Sequence, residues 1–184
     1  MIVRPANCPL QPWKNGLGRT REIAVQTSGT GEAFLWRVSV AEVDSGAPFS
    51  AFPGVDRSIV LLDGAGFVMT LDGAREHRLT TAFAPFAFPG EAQVAVTLVA
   101  GPTRDFNLMV RRSEACGEVQ AWRGPGTHLA PAGTVLVYCA GGSVDTPDGR
   151  LQIGDAWRSQ ASAGRLALAD DAVALVALVT PRTA

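Results

Sequence analysis

The chain reads as all-β, a jelly-roll or barrel unit used twice. Three observations predict it. Short runs of alternating apolar and polar residues fill most of the length and are cut by twenty glycines and twelve prolines, the punctuation of strands and turns. Apolar spacing of the helical kind is scarce. There is also an internal echo: Ile59-Val60-Leu61 and the turn Asp72-Gly73 precede Val135-Leu136-Val137 and Asp148-Gly149 by one interval, and residues 96–102 precede 175–181 by a slightly longer one. Matching order suggests duplication. We place an amino-terminal barrel over 1–112 and a second, degenerate barrel over 113–184, with strands shared between them where needed.

Composition narrows the class. With 184 residues, 47% hydrophobic and 18% charged, the chain can bury a substantial core. Sixteen basic against seventeen acidic residues leave a net charge of −1, so no strong electrostatic case exists for nucleic acid or an anionic membrane as partner, a local basic patch aside. The longest apolar run, 172–179, is too short to span a bilayer, and the first residues lack a signal pattern. A cytoplasmic protein is expected. Three cysteines at wide spacing, Cys8, Cys116 and Cys139, point to free thiols.

In chain order, residues 1–12 carry three prolines and read as an edge or covering segment. The turn Asn15-Gly16 then leads into a strand with Thr20, Glu22 and Ala24 on one face and Arg21, Ile23 and Val25 on the other. Trp13, beside the flexible turn, suits a pocket wall, and Glu22 suits pairing with an arginine. Lys14 and Arg19 fit a solvated hairpin as well as a functional turn. Residues 34–43 form the clearest strand. Phe34, Trp36, Val38 and Val40 make its core face, and Leu35, Arg37, Ser39 and Ala41 the other. That second face is either the wet side of a sandwich or the lining of a cavity, where a guanidinium would need an anionic partner.

The stretch from Gly46 to Arg57 packs prolines, glycines, Phe49, Phe52 and the pair Asp56-Arg57 into irregular chain, then turns abruptly into an apolar strand. We read it as the rim of a small-molecule pocket, with Arg57 where rim meets wall. Residues 59–62 and 67–71 flank Asp63-Gly64-Ala65-Gly66 as a hairpin, and Asp72-Gly73 makes a further turn. His77 is expected in solvent. Residues 83–90 should pack over the barrel, and 94–99 form a strand. In 103–110 alternation puts Asp105, Asn107 and Met109 on one face and Phe106, Leu108 and Val110 on the other. The polar face either joins the lining of Arg37 and Ser39 or merely closes a turn at Asp105. Farther on, 134–139, 150–153 and 173–179 are strands, and Trp122 and Trp157 read as core.

Which chemistry do these residues permit? His77 and His128 are the only histidines and stand far apart, so a three-histidine metal site within one chain is impossible. No compact metal-ligand spacing, nucleophile elbow or phosphate-cradling loop occurs. We therefore expect neither metal nor cofactor. Glu22, Asp56 and Asp105 could supply an acid/base pair. Otherwise the chemistry is recognition: Arg37 and Arg57 for a carboxylate, Asn15, Ser39 and Asn107 for neutral polar groups, and Trp13, Phe49 and Phe52 for an apolar or planar body. A small anionic metabolite is the partner this predicts. Exposed strand edges favour a homodimer.

Four blocks carry a specific resemblance: residues 13–23, 34–41, 46–57 and 105–109. In that order they resemble the signature of the HutD/Ves family, with Leu17 where the family usually has glycine. The resemblance implies a cupin-like, bicupin fold in a bacterial cytosolic protein. For the HutD branch it implies a binding or regulatory role in histidine utilisation, towards an intermediate such as N-formylglutamate or urocanate. For the Ves branch it implies a stress response. An enzyme acting on a small carboxylate, or a protein-interaction module, are the alternatives. The binding residues it points to are Trp13, Asn15, Thr20, Glu22, Arg37, Ser39, Phe49, Phe52, Asp56, Arg57, Asp105, Asn107 and Met109.

Overall fold

The computed structural model describes residues 1–13, 15–29, 33–159 and 164–182. Among them, all regular structure apart from a 3-10 turn at Pro5–Asn7 is strand. The chain runs through β1 (Ile2–Val3), β2 (Leu10–Pro12), β3 (Gly18–Thr27), β4 (Phe34–Val43), β5 (Val55–Asp63), β6 (Phe67–Leu71), β7 (Arg75–Leu79), β8 (Pro85–Pro89), β9 (Val94–Leu98) and β10 (Thr103–Arg111). It continues through β11 (Ala115–Arg123), β12 (Gly126–Leu129), β13 (Thr134–Gly141), β14 (Ser143–Thr146), β15 (Gly149–Gln152), β16 (Ala156–Arg158), β17 (Arg165–Leu168) and β18 (Val173–Pro181).

These strands form four open antiparallel sheets, and hydrogen bonding closes none of them into a ring. The first half makes a large sheet, β2-β3-β4-β10-β5-β8, and a small one, β7-β6-β9. In the second half the large sheet is β11-β18-β13-β16-β1 and the small one β15-β14-β17-β12. The segment β4-β10-β5-β8 therefore has the same connectivity as β11-β18-β13-β16, and β7-β6-β9 the same as β15-β14-β17. Two of the three sequence echoes fall on equivalent places, residues 59–61 and 135–137 on β5 and β13, and the paired turns on β6-β7 and β14-β15. The third does not. Residues 96–102 begin on β9 in a small sheet, whereas 175–181 lie on β18, whose counterpart is β10. Short Val/Leu runs look alike in either setting. The chain's first strand, β1, pairs with β16 and so joins the second half.

Alternation along the large sheets creates three cores. One face of the first large sheet presents Val38 and Val40 of β4, Val60 and Leu62 of β5, and Phe106, Leu108 and Val110 of β10. It packs on Val119, Leu136, Tyr138, Leu175, Ala177 and Val179 of the second, so the two halves share this core. The other face of the first sheet meets Phe67, Met69 and Leu71 of β6 and Val94 and Val96 of β9. The second half fills its own interior with Val144, Leu151, Trp157, Leu166 and Val176, and Trp122 packs half-buried against that cluster. Both tryptophans thus do what the sequence suggested. Cys8 and Cys139 are buried and Cys116 exposed, all three as free thiols. No described helix is long and apolar enough to cross a membrane.

Several local expectations are corrected. Asp63-Gly64-Ala65-Gly66 does not join a hairpin: β5 pairs with β10 and β8, β6 with β7 and β9, and the turn carries the chain from one sheet to the other. Gly66 makes that corner possible, with φ of +79° and its Cα pressed against the Leu79 carbonyl, so that an added Cβ would clash with backbone. Gly66→Ala is expected to destabilise by about 2 kcal/mol, read as a lower urea midpoint at unchanged slope. On β3, a bulge between Glu22 and Ala24 shifts the register. Ile23 and Ala24 are both buried in the shared core, so Ala24 leaves the face of Thr20 and Glu22. Residues 85–89, expected to lie over the barrel, are an edge strand against β5, with prolines at both ends.

Candidate functional site

The floor of the site is a grid set by strand register. Across β4, β10 and β5 the first row reads Arg37, Met109, Arg57, the second Ser39, Asn107, Ile59 and the third Ala41, Asp105, Leu61. Every one of these residues has the parity opposite to the shared core. Ile59 and Leu61 belong to the apolar cluster under the small sheet, so polarity ends where that cluster begins. Above the floor is a cavity of about 600 Å³.

Trp13, Asn15, Thr20, Arg37, Ser39, Phe49, Phe52, Arg57, Asp105, Asn107 and Met109 all line it. The choice between a wet face and a cavity lining is thus resolved for β4 and β10. The wall is built by local chemistry. Trp13 donates from Nε1 to Thr20 Oγ1 at 2.7 Å, and its ring lies so close to Gly18 that a side chain there would collide with it. Asn15 Oδ1 accepts from the Leu17 backbone N–H at 3.1 Å, which closes the turn in an Asx arrangement. Phe49 stands edge-on to Trp13 at 6.5 Å and to Phe67 at 5.8 Å, anchoring the rim to the small sheet.

Arg57 is the centre of the site. Its side chain is only 6% exposed, and its Cζ lies 4.9 Å from the Phe88 ring centroid, 5.3 Å from Phe49 and 5.7 Å from Phe52, a cage of cation–π contacts. Nη2 donates to Asn107 Oδ1 at 2.8 Å, and Asn107 Nδ2 donates to Asp105 Oδ1 at 2.6 Å. Burial lowers the Arg57 pKa to about 10, against the pull of Asp105, so the guanidinium stays charged at neutral pH. Asp105 is fully buried. Desolvation pushes its carboxyl up to about 7, opposed by Arg57 and by the Asn107 hydrogen bond. Arg57 Nε and Asp105 Oδ2 are buried with no hydrogen-bond partner among the described residues.

Two predicted site residues fall elsewhere. Glu22 lies outside the lining and holds Arg37 instead, its Oε2 accepting from Nε at 2.8 Å. Asp56 is displaced altogether: next to Arg57 on β5, it projects from the opposite face and accepts from Arg112 Nε at 2.7 Å, in a surface cluster with Glu91. Of the three carboxylates that could have supplied an acid/base pair, Glu22, Asp56 and Asp105, the cavity lining includes Asp105 alone. Lys14 lies outside the described residues, and Arg19 pairs with Glu42 at 2.8 Å on the surface. Gln11, Pro12, Ala41, Pro48 and Ser50 also line the cavity. The parity of Ala41 and the rim position of Pro48 and Ser50 signalled them, but nothing signalled Gln11.

His77, expected in solvent, is half-buried and stacks on Phe86, ring centroids 3.5 Å apart; desolvation and Arg75 lower its pKa. His128 lies against Trp122. Neither lines the cavity, and among the described residues Asp105 is its only carboxylate. Among the described residues no three His, Cys, Asp or Glu side chains converge. This donor set does not fit a histidine-rich metal site.

Comparisons with known proteins agree with this geometry. A family model described as HutD matches residues 6–176. An uncharacterised 21.2 kDa protein in the hutC 3′ region of Pseudomonas putida is 37% identical over 78% of this chain and 75% of its own. Protein Ves of Citrobacter koseri is 35% identical over 72% of this chain and 69% of its own. The structure of HutD from Pseudomonas fluorescens superposes with a TM-score of 0.87 at 31% identity, covering 100% of this chain and 99% of the other. Oxalate decarboxylase of Bacillus subtilis, at 10% identity and a TM-score of 0.65 over 100% of this chain and 78% of its own, shares the cupin-like fold alone.

Proposed function

The chain belongs to the HutD family, and from that premise we propose that it is a metal-independent binding protein for a small carboxylate-bearing metabolite, held in the cavity of its amino-terminal half. One observation carries the reading: a charged guanidinium, Arg57, is buried at the cavity floor in a cage of three phenylalanines, with Nε unpartnered among the described residues. A buried charge left uncompensated is costly, and a ligand carboxylate is the group that compensates it through paired hydrogen bonds. The ligand we propose is an intermediate of histidine catabolism, N-formylglutamate or urocanate, and the role regulatory, in the cytoplasm. The hutC neighbourhood of the Pseudomonas putida relative supports this choice. Duplicated strand order supports a bicupin with domains at 1–112 and 113–184, and open sheet edges support a homodimer.

A second reading has its own observation. Asp105, poised near neutrality by burial, has the acidity of a general acid or base, which would make the protein a cupin-type enzyme acting on a small carboxylate. For the same pocket, the stress-response role that the Ves resemblance implies is kept as an alternative beside the likeness to protein Ves of Citrobacter koseri. Metal analysis and turnover assays separate enzyme from binder: a stoichiometric transition metal, or consumption of either intermediate, would favour catalysis.

Titration calorimetry and thermal shift with N-formylglutamate and urocanate test the proposal directly. A hundredfold excess over Kd should stabilise the protein by about 2.7 kcal/mol. Arg37→Ala, which removes a half-buried cation already paired with Glu22, should weaken binding about two- to tenfold. Arg150→Ala, on the exposed β14-β15 hairpin beside Asp145, should leave binding within about twofold. Equal losses in the two variants would refute the site.

A further inference from the structure

The pocket brings a buried acid to the place where an anion would bind. Arg57 and Asp105 line the same cavity, yet among the described residues they are joined through Asn107 and not by a direct ion pair. Asp105 is 0% exposed; among the described residues Oδ1 receives one hydrogen bond from a neutral amide and Oδ2 has no partner. An ionised carboxylate so placed would be poorly compensated. A neutral one carries a proton that needs an acceptor.

We propose that the cavity takes up its anion together with one proton: Arg57 receives the ligand carboxylate, while Asp105, in its neutral form, donates from Oδ2 to an acceptor oxygen of the same ligand. The inference rests on the anion-binding reading of the cavity and adds a selection rule. A carboxylate with a second oxygen acceptor close by, such as a formyl or amide carbonyl, satisfies both orphan groups at once. In the balanced step, Asp105 carboxylate, a solvent proton and the ligand anion combine into a complex in which the acid is neutral and the charge faces Arg57.

Proton and anion are coupled because both negative groups would otherwise compete for one guanidinium. The charged or polar groups on the cavity side around Asp105 are Arg57 from β5, Asn107 on β10 itself, Ser39 from β4 and Thr20 from β3 beyond Ala41, with Arg37 two rows away on β4 and held by Glu22. From the small sheet the buried cluster brings only apolar side chains. Burial of Asp105 sets the sign. Asp105 rises from 3.8 towards about 7 on folding, so its contribution to stability is complete below about pH 4 and is lost as pH rises through about 7.

Calorimetry of wild-type protein with formate and with N-formyl-L-glutamate, in buffers of different ionisation enthalpy, tests this between about pH 6 and about pH 9, where both probes stay fully ionised. Above neutrality, uptake should approach one proton per ligand and Kd should climb towards tenfold per pH unit. N-formyl-L-glutamate should bind more tightly than formate. Asp105→Asn should flatten both the affinity profile and the fall of stability from about pH 4 to about pH 7, whereas Asp145→Asn keeps the wild-type slopes. Binding that exchanges no proton and is independent of pH overturns this inference and leaves the anion pocket standing. Failure of both probes to bind at any pH overturns the two together.

Discussion

Replacing Arg57 with alanine is expected to weaken carboxylate binding by about 30- to 1000-fold, a loss of about 2–4 kcal/mol, measured by calorimetry with N-formyl-L-glutamate. The ligand would lose its cation at a residue that is only 6% exposed. Asn107 would lose its donor, and three phenylalanine rings would line a gap. The fold should survive. Without Arg57, the Asp105 carboxyl loses a stabilising charge and its pKa moves further up, so it stays neutral and no buried charge is stranded. Arg57→Lys should recover little, because an ammonium cannot lie flat among the rings while reaching both Asn107 and a carboxylate. Near-wild-type affinity in Arg57→Lys would show that charge alone suffices and would sink the geometric part of the argument.

The largest expected loss of stability belongs to Phe106→Ala, about 3–5 kcal/mol. Phe106 is 0% exposed at the centre of the core that both large sheets share, its ring 5.4 Å from that of Tyr138. Chemical unfolding should then show one transition at a lower midpoint, followed identically by tryptophan fluorescence and far-UV circular dichroism. Separation into two transitions would mean that the halves fold independently and that the shared core is weaker than its burial implies. As a control, Leu129→Ala, at a residue 65% exposed, should change stability by no more than about 0.5 kcal/mol.

Most of the cavity was legible in the sequence because its floor lies on long strands. Over 34–43 and 103–110 the alternation persists long enough to separate two faces, so Arg37, Ser39, Asp105, Asn107 and Met109 could be assigned together. Arg57 was readable from the abrupt change between irregular chain and apolar strand. Asp56 failed because a pair of adjacent charges gives no sign of which one points inward, and one step along a strand reverses the face. Ala24 failed because a bulge is a local choice of pairing that composition does not report. The second half was harder. β12 and β17 have four residues each and β16 three, too few for a period to emerge, and β11 alternates with polar, half-exposed positions. The corner at 63–66 resembled a hairpin because the same glycine chemistry serves both, and only the partners of the flanking strands distinguish them.

One sheet here forms both the chamber floor and the seam between halves, with odd and even residues of β4, β5 and β10 assigned to opposite duties. Change in the chamber is thereby channelled. Exchanging side chains at 37, 39, 57, 105, 107 or 109 would alter its lining without disturbing the seam, but sliding or bending a strand to enlarge the chamber would unseat the hydrocarbon behind it. Larger remodelling is therefore confined to the rim at 46–53 and the turn at 15–18, walls that lie outside the strands of the shared seam.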